Sequence, residues 1–130
     1  MIVSVRISCP VFPSEDPEKV RQAVLNIFPD AVLDEGKEGI SAVSAGMEHF
    51  GDRIRKQKIL DTARSVLMKG RRNERTVFYL NKQAAYAGKI SFVEEKAVLG
   101  TLKVTAEAED ITSFIEVLAP NTVDGEEVRI

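Results

Sequence analysis

The chain has 130 residues, of which 44% are hydrophobic and 29% charged. This composition is typical of one globular domain and too apolar for an intrinsically disordered protein, and the longest apolar runs are far shorter than the roughly 20 residues of a membrane-spanning helix. Cys9 is the one cysteine, which excludes an intrachain disulfide, and the N-terminus lacks the pattern of a secretory signal. The sequence therefore predicts a single domain, residues 1–130, with no membrane segment, in the cytoplasm.

The net charge of −2 conceals an uneven distribution of charge along the chain. Residues 51–89 contain 11 basic and three acidic residues, a net +8, so the rest of the chain carries −10. Such segregation of charge indicates a surface that can face a polyanion.

The first predicted elements are a strand and a helix. Residues 2–12 alternate apolar and polar side chains, with the period of two that is typical of a strand with one buried face. Asp16 is a suitable N-cap for a helix whose first residue is Pro17, and the apolar residues that follow fall on one face. We therefore predict a β-strand followed by a short amphipathic helix that ends before Pro29.

The next elements are a hairpin and a long helix. Residues 31–45 place two short apolar stretches around Gly36 and Gly39, which favours a hairpin or two broken strands. Residues 47–68 contain no proline, and many of their apolar side chains fall on one broad arc at about 100° per residue. We therefore predict the longest helix of the chain here, with its apolar arc against a sheet.

The remaining elements are strands, turns and two helical segments. Residues 75–80 are rich in β-branched and aromatic side chains and predict a strand, followed by a short helical turn that Gly88 closes. Residues 90–94 predict another strand. Residues 101–109 alternate apolar and polar side chains, and Asp110 is a suitable N-cap for the helix after them. The last five residues form either a final short strand or a tail.

These elements do not follow the strand–helix alternation of a parallel sheet, and most of the strands have one apolar face. Helices packed on one face of a largely antiparallel sheet agree best with both observations. The sequence thus predicts a two-layer α+β domain.

Two sets of polar residues flank the apolar arc of the long helix. The first set lies at spacings of four, four and three, and forms either a polar network that supports the fold or a flank with guanidinium groups directed to phosphate. Its members are Arg53, Gln57, Asp61 and Arg64. The second set points to solvent and continues into the following turn. It includes Arg55, Lys58, Lys69, Arg71, Arg72 and Arg75.

The second set is the better candidate for contacts with phosphate. Several cations on one face release counterions from a nucleic acid, and this contribution to binding needs no base-specific residue. A solvated helix face has the same appearance, so the charge pattern alone leaves both interpretations open.

Aromatic residues near the basic turn allow a second kind of contact. Phe78 and Tyr79 alternate across a predicted strand, and Tyr86 and Phe92 lie close in sequence. Aromatic side chains can stack on unpaired bases, whereas packing in the core is the simpler role for the two phenylalanines.

The sequence offers little for catalysis. One cysteine and one histidine, Cys9 and His49, cannot form a zinc site, and Cys9 falls on the apolar side of its strand. No glycine-rich phosphate loop follows a strand, and the GKEG sequence at residues 36–39 lacks the flanking helices of a KH domain. We therefore expect no cofactor, no metal and no enzymatic activity.

Three segments of the chain carry a family resemblance, namely RKQKILDTARSVLMKG, VFYLNKQAAYAGKISFVEE and VLGTLKV. They resemble the signature blocks of a small archaeal family of unknown function that is predicted to bind RNA. That family is similar in fold to the large-subunit ribosomal protein that holds the small ribosomal RNA of the central protuberance, which implies helices against an antiparallel sheet. The recurring polar positions of the family correspond to Arg55, Gln57, Asp61, Arg64, Asn81, Lys82 and Gln83.

The sequence and the resemblance together predict an RNA-binding protein without catalytic activity. It would contact structured RNA through the phosphate-directed second set, with polar contacts from Asn81, Lys82 and Gln83. The alternative is a protein-interaction or assembly module whose acidic and basic surfaces pair with a partner or with a second copy of the chain. A third reading, an enzyme for a small anionic metabolite, requires a pocket.

Overall fold

The computed structural model describes residues 3–37, 39–94, 100–123 and 126–127. Its helices are α1 (Pro17–Ile27), α2 (Glu48–Lys56), α3 (Leu60–Lys69), α4 (Lys82–Tyr86) and α5 (Ile111–Leu118). Its strands are β1 (Val3–Pro10), β2 (Val32–Glu35), β3 (Gly39–Ser44), β4 (Arg71–Arg72), β5 (Arg75–Asn81), β6 (Phe92–Val93), β7 (Thr101–Ala108), β8 (Thr122–Val123) and β9 (Glu126–Glu127). None of the helices in these ranges has the length and apolar character needed to cross a bilayer.

Seven strands form one antiparallel sheet in the order β2-β3-β1-β7-β5-β4, with β6 also paired to β5. The strands β8 and β9 pair separately as a short ladder. The two central strands, β1 and β7, are joined by a register that runs from Val3 opposite Ala108 to Ser8 opposite Lys103. The predicted α+β class with a largely antiparallel sheet is confirmed.

The hydrophobic core lies on one face of this sheet. Alternate residues of the central strands, such as Val5, Ile7 and Val104, are at most 2% exposed and face the helices. Their neighbours along the same strands, such as Arg6 and Lys103, are exposed. The period-two pattern of the sequence therefore corresponds to a covered inner face and an outer face that is open to solvent.

The predicted caps and strand positions are confirmed for most elements. The side chain of Asp16 accepts a hydrogen bond from the Glu18 N–H at the start of α1, and Asp110 accepts one from the Ser113 N–H at the start of α5. The strand expected at residues 90–94 is shorter, Phe92–Val93. Residues 128–130 of the predicted terminal segment lie outside the described ranges.

The single helix predicted for residues 47–68 is wrong, because the chain forms two helices with a break between them. Lys58 adopts a left-handed conformation with a φ of 58°. The Ile59 N–H donates to the Ile54 carbonyl at 2.9 Å and the Lys58 N–H to the Arg55 carbonyl at 3.1 Å. These two bonds form a Schellman motif, which usually has glycine at the left-handed position. The sequence pattern misses this break because lysine occupies that position.

Candidate nucleic-acid interface

Exposed arginines cluster on the β4–β5 hairpin at one end of the sheet. Arg71, Arg72 and Arg75 are all exposed, and Lys69 is exposed at the end of the preceding helix. The hairpin register places Arg72 directly opposite Arg75. Like charges in directly opposite positions destabilise a sheet, so this pair has no benefit for the fold alone. It is a local concentration of positive charge that an anion would stabilise.

The side chain of Arg71 supports the hairpin while remaining exposed. Its Nε donates to the Met68 carbonyl at 3.0 Å, and its Nη1 donates to Thr112 Oγ1 at 2.7 Å. Arg72 in turn donates from Nη1 to the Arg71 carbonyl at 2.6 Å. These bonds hold the two arginines near the end of α3 and the start of α5.

Arg75 belongs to the outer face of the sheet as well as to the hairpin. The carboxylate of Glu107 lies between two arginines, with its Oε1 at 2.7 Å from Arg6 Nη2 and 4.0 Å from Arg75 Nη2. All three side chains are at least 40% exposed. Exposed ion pairs of this kind contribute little to stability, about 0–1 kcal/mol. The carboxylate accepts a hydrogen bond from Arg6 and lies near the guanidinium group of Arg75 on the outer face.

The strand register aligns the outer-face residues in three rows across β3, β1, β7 and β5. The rows are Ser41–Ser8–Lys103–Tyr79, then Val43–Arg6–Thr105–Val77, then Ser4–Glu107–Arg75 with Arg72 beyond it on β4. Cations, hydroxyls and apolar side chains thus alternate over a single surface. We call this surface the outer face.

A shallow depression of about 500 Å³ lies on the outer face. Its polar and charged lining includes Arg6, Ser8, Ser41, Lys103, Thr105 and Arg75, and its apolar lining includes Val43 and Val77. Arg6, Lys103 and Glu107 are not among the residues that the sequence pattern predicts for the site. Their positions in alternating strands predicted exposure, but only the pairing of distant strands brings them beside Arg75.

Three of the predicted contact residues are engaged within the protein. Arg55 donates from Nη1 to the Leu118 carbonyl at 3.2 Å and from Nη2 to the Val117 carbonyl at 3.3 Å, so it caps the end of α5. The Asn81 side chain caps α4 by accepting from the Ala84 N–H at 2.8 Å. Lys82 is 5% exposed, and its Nζ donates to Glu15 and to the Pro10 carbonyl.

The other predicted residues are exposed but dispersed. Lys58 lies at the break between α2 and α3, in the helical layer. Gln83 lines a separate pocket of about 360 Å³ with Lys19 and Tyr86, beside α1 and α4. Among the predicted residues, the structure brings together Lys69 and the hairpin arginines, and it separates them from Gln83.

The polar stripe of the predicted long helix connects different elements rather than forming an intrahelical network. Gln57 donates from Nε2 to the Ile90 carbonyl at 2.9 Å and accepts from the Ile90 N–H at 2.8 Å. Asp61 accepts from Thr122 Oγ1 at 2.6 Å, and Arg64 donates to the Ala119 carbonyl at 3.4 Å. The buried Nε of Arg53 has no hydrogen-bond partner among the described residues.

The four aromatic residues near the basic turn divide between the two faces. Phe78 is 2% exposed, and its ring centroid lies 6.0 Å from that of Phe92, so both pack in or against the core. Tyr79 is half-buried in the first row of the outer face. Tyr86 is 48% exposed in the helical layer, with Lys19 Nζ 5.9 Å from its ring centroid.

The described part of the chain contains no group of three or more His, Cys, Asp and Glu residues that could hold a metal ion. Cys9 is 1% exposed. Burial raises the pKa of its thiol to about 11, against the opposing effect of nearby Lys82. The thiol is therefore protonated and shielded at neutral pH, which is unsuitable for a nucleophile.

The chain is similar to known proteins over most of its length. Residues 4–108 match the family model described as RNA binding. A UPF0201 protein of Methanothermobacter thermautotrophicus is 36% identical, over 95% of this chain and 96% of its own length. The crystal structure of a UPF0201 protein from Methanococcus jannaschii is 39% identical, covers 97% of this chain and 99% of its own, and has a TM-score of 0.88.

One relative is considerably longer than this chain. A UPF0200/UPF0201 protein of Archaeoglobus fulgidus is 40% identical over 98% of this chain, which spans 40% of that relative's length. The matched region thus forms less than half of that protein. The chain belongs to the family of the RNA-binding model and to the archaeal UPF0201 proteins.

Proposed function

We propose that this protein is a non-catalytic, cytoplasmic RNA-binding protein that contacts phosphates through its basic hairpin. The observation that carries the proposal is the juxtaposition of Arg72 and Arg75 on a family fold whose model is described as RNA binding. Fold membership alone is a weak argument for function, so the proposal depends on the side chains at this site.

We select the phosphate-contacting residues by the exposure of their side chains. Lys69, Arg71, Arg72 and Arg75 are all exposed within residues 69–75, and Arg72 and Arg75 lie opposite each other on one face of the hairpin, so this pair can approach phosphates together. Each cation that neutralises a phosphate releases counterions, which makes binding strongly dependent on salt. We assign Arg55 to the support of the fold, because its guanidinium is bonded to α5 and to Glu127.

The likeness to the ribosomal protein of the central protuberance is part of this proposal. An α+β domain with helices against an antiparallel sheet is the architecture that the resemblance implies. Structured RNA contacted at its phosphates is the ligand class that agrees with it.

A titration with RNA tests the proposal. The protein is titrated with total cellular RNA and with duplex DNA at several salt concentrations, beside the double variant Arg71→Glu, Arg72→Glu. The matched control is Lys19→Glu, Lys89→Glu, which changes the net charge equally at exposed residues outside the hairpin. We expect RNA binding that falls steeply with salt and is lost mainly in the hairpin variant. An absence of binding at low salt contradicts the proposal.

A second candidate function is an interaction module for another protein or for a second copy of the chain. It is favoured by the longer Archaeoglobus fulgidus relative, whose name joins UPF0201 to a second family. In addition, Val32 and Val43 are paired near the β2 edge of the sheet and are 75% and 55% exposed. Light scattering distinguishes this candidate, since it predicts a dimer whose formation is lost in Val32→Asp.

A further inference from the structure

We infer that the outer face of the sheet is a binding platform for an unpaired segment of RNA. The inference rests on the proposed function and extends it, because the hairpin alone explains contact with phosphates of any nucleic acid. It is carried by the composition of the outer face, in which Arg6, Arg75 and Lys103 surround hydroxyl and apolar side chains in one depression.

The charges of the outer face suit a polyanion. Arg6 and Arg75 both lie near the carboxylate of Glu107. Lys103 lies on β7, between the strands that carry the two arginines. Within the lining of the depression the charged residues are all basic. Glu107 at its border neutralises part of this charge, so it lowers the attraction for phosphate.

The uncharged residues suit bases rather than a duplex backbone. Val77 and Tyr79 share the outer face of β5 and lie beside Thr105 and Lys103 of β7. Aromatic side chains on a sheet stack on exposed base faces, which a duplex does not offer because its bases are already stacked. The hydroxyls of Ser8, Ser41 and Thr105 lie within reach of base edges and ribose hydroxyls at such a surface.

The site is continuous with the hairpin. Arg75 lines the depression and also lies opposite Arg72 on β4. An RNA strand that crosses the sheet therefore passes from the depression to the cations of the hairpin. An RNA with an unpaired segment next to a helical stem therefore satisfies both surfaces at once.

The test measures affinity by fluorescence anisotropy, with a labelled unpaired RNA octamer and a blunt RNA duplex of equal length. The first variant is Glu107→Gln, which removes the competing charge and keeps the shape of the side chain. We expect it to tighten octamer binding about fivefold at low salt. Its matched control is Glu116→Gln, an equal change at an exposed residue of α5, which should have no effect.

Two further variants remove contacts. Lys103→Ala should weaken octamer binding about fivefold, whereas Lys19→Ala, an equal loss of charge in the helical layer, should leave it unchanged. Tyr79→Leu should weaken binding about tenfold through the loss of stacking, and Tyr79→Phe should retain it. Circular dichroism is used to check that each variant is folded, and a gain of affinity in Glu107→Gln cannot arise from unfolding.

The results separate this inference from the function on which it rests. If RNA binding depends on the hairpin arginines but the outer-face variants behave as their controls do, the platform is contradicted and the proposed function stands. The same holds if the duplex binds as tightly as the octamer and responds equally to the variants. If the protein binds neither RNA at low salt, both proposals fail.

Discussion

Lys82 and Glu15 form an ion pair that is nearly closed to solvent. The lysine Nζ lies 2.9 Å from Glu15 Oε1, and the two side chains are 6% and 27% exposed. The same Nζ donates to the Pro10 carbonyl at 2.8 Å and lies 5.2 Å from the centroid of the Phe12 ring. The pair therefore fastens the loop after β1 to the start of α4.

Removal of either partner should destabilise the protein, but by unequal amounts. Glu15→Gln leaves the ammonium buried without a counter-charge and should lower the free energy of unfolding by about 3 kcal/mol. Lys82→Met leaves a carboxylate that can reach water, so its cost should be smaller, about 1–2 kcal/mol. Urea unfolding of both variants measures the difference. A larger loss in Lys82→Met would show that the ammonium is not the costly partner.

The same pair should make stability depend on acid pH. Burial opposes ionisation of Glu15, but hydrogen bonds from the Phe12 N–H and from Lys82 outweigh it and hold the pKa below its ordinary value of 4.5. The unfolded chain therefore takes up a proton at a higher pH than the folded protein does. This contribution is present above pH 4.5 and is lost as the pH falls through the folded pKa. Unfolding curves below pH 4.5 should show a smaller decline in Glu15→Gln than in the wild type.

The break between α2 and α3 should be stabilised by glycine. Lys58 has a φ of 58°, a conformation that costs a non-glycine residue about 1 kcal/mol. Lys58→Gly should therefore raise the free energy of unfolding by up to about 1 kcal/mol, as measured by thermal or urea denaturation. Lys56→Gly, at the last residue of α2, is the comparison and should lower it. A loss of stability in Lys58→Gly would contradict the Schellman motif.

The paired arginines of the hairpin should oppose stability and favour binding. Arg72 stands opposite Arg75, and the repulsion between such neighbours is of the order of 0.2–1 kcal/mol. Arg72→Thr should thus leave the RNA-free protein as stable as the wild type or slightly more stable, while it weakens RNA binding. Denaturation and titration of the same preparation measure both effects. If binding is unchanged, the pair is not a phosphate contact.

The parts of the fold that could be predicted from sequence depend on local rules. Asp16 followed by Pro17 specifies a helix start within a few residues, and the alternation along residues 101–108 specifies a strand with one buried face. The helix break at Lys58 is also local, but the sequence does not predict it because lysine stands where such a break usually has glycine. The local sequence pattern thus predicts an element wherever the residue type that the element prefers is present.

The candidate site was less predictable because its members come from distant parts of the chain. The position of Arg72 and Arg75 in a predicted turn indicates that they are exposed. The burial of Lys82, by contrast, depends on Glu15, which lies 67 residues earlier. Arg6 and Glu107 meet across β1 and β7 at a separation of 101 residues. The first pairing depends on how the loop after β1 packs against α4, and the second on the register of β1 and β7. Neither follows from the local pattern of a single sequence.

The salt dependence of RNA affinity tests the central claim most directly. Each phosphate contact on single-stranded nucleic acid contributes about −0.7 to the slope of log association constant against log salt concentration. Contacts from Arg72, Arg75 and Lys103 predict a slope of about −2 or steeper for the unpaired octamer, and a slope shallower by about 0.7 in Lys103→Ala. A slope near zero, or one that none of these substitutions changes, would contradict phosphate binding by this surface.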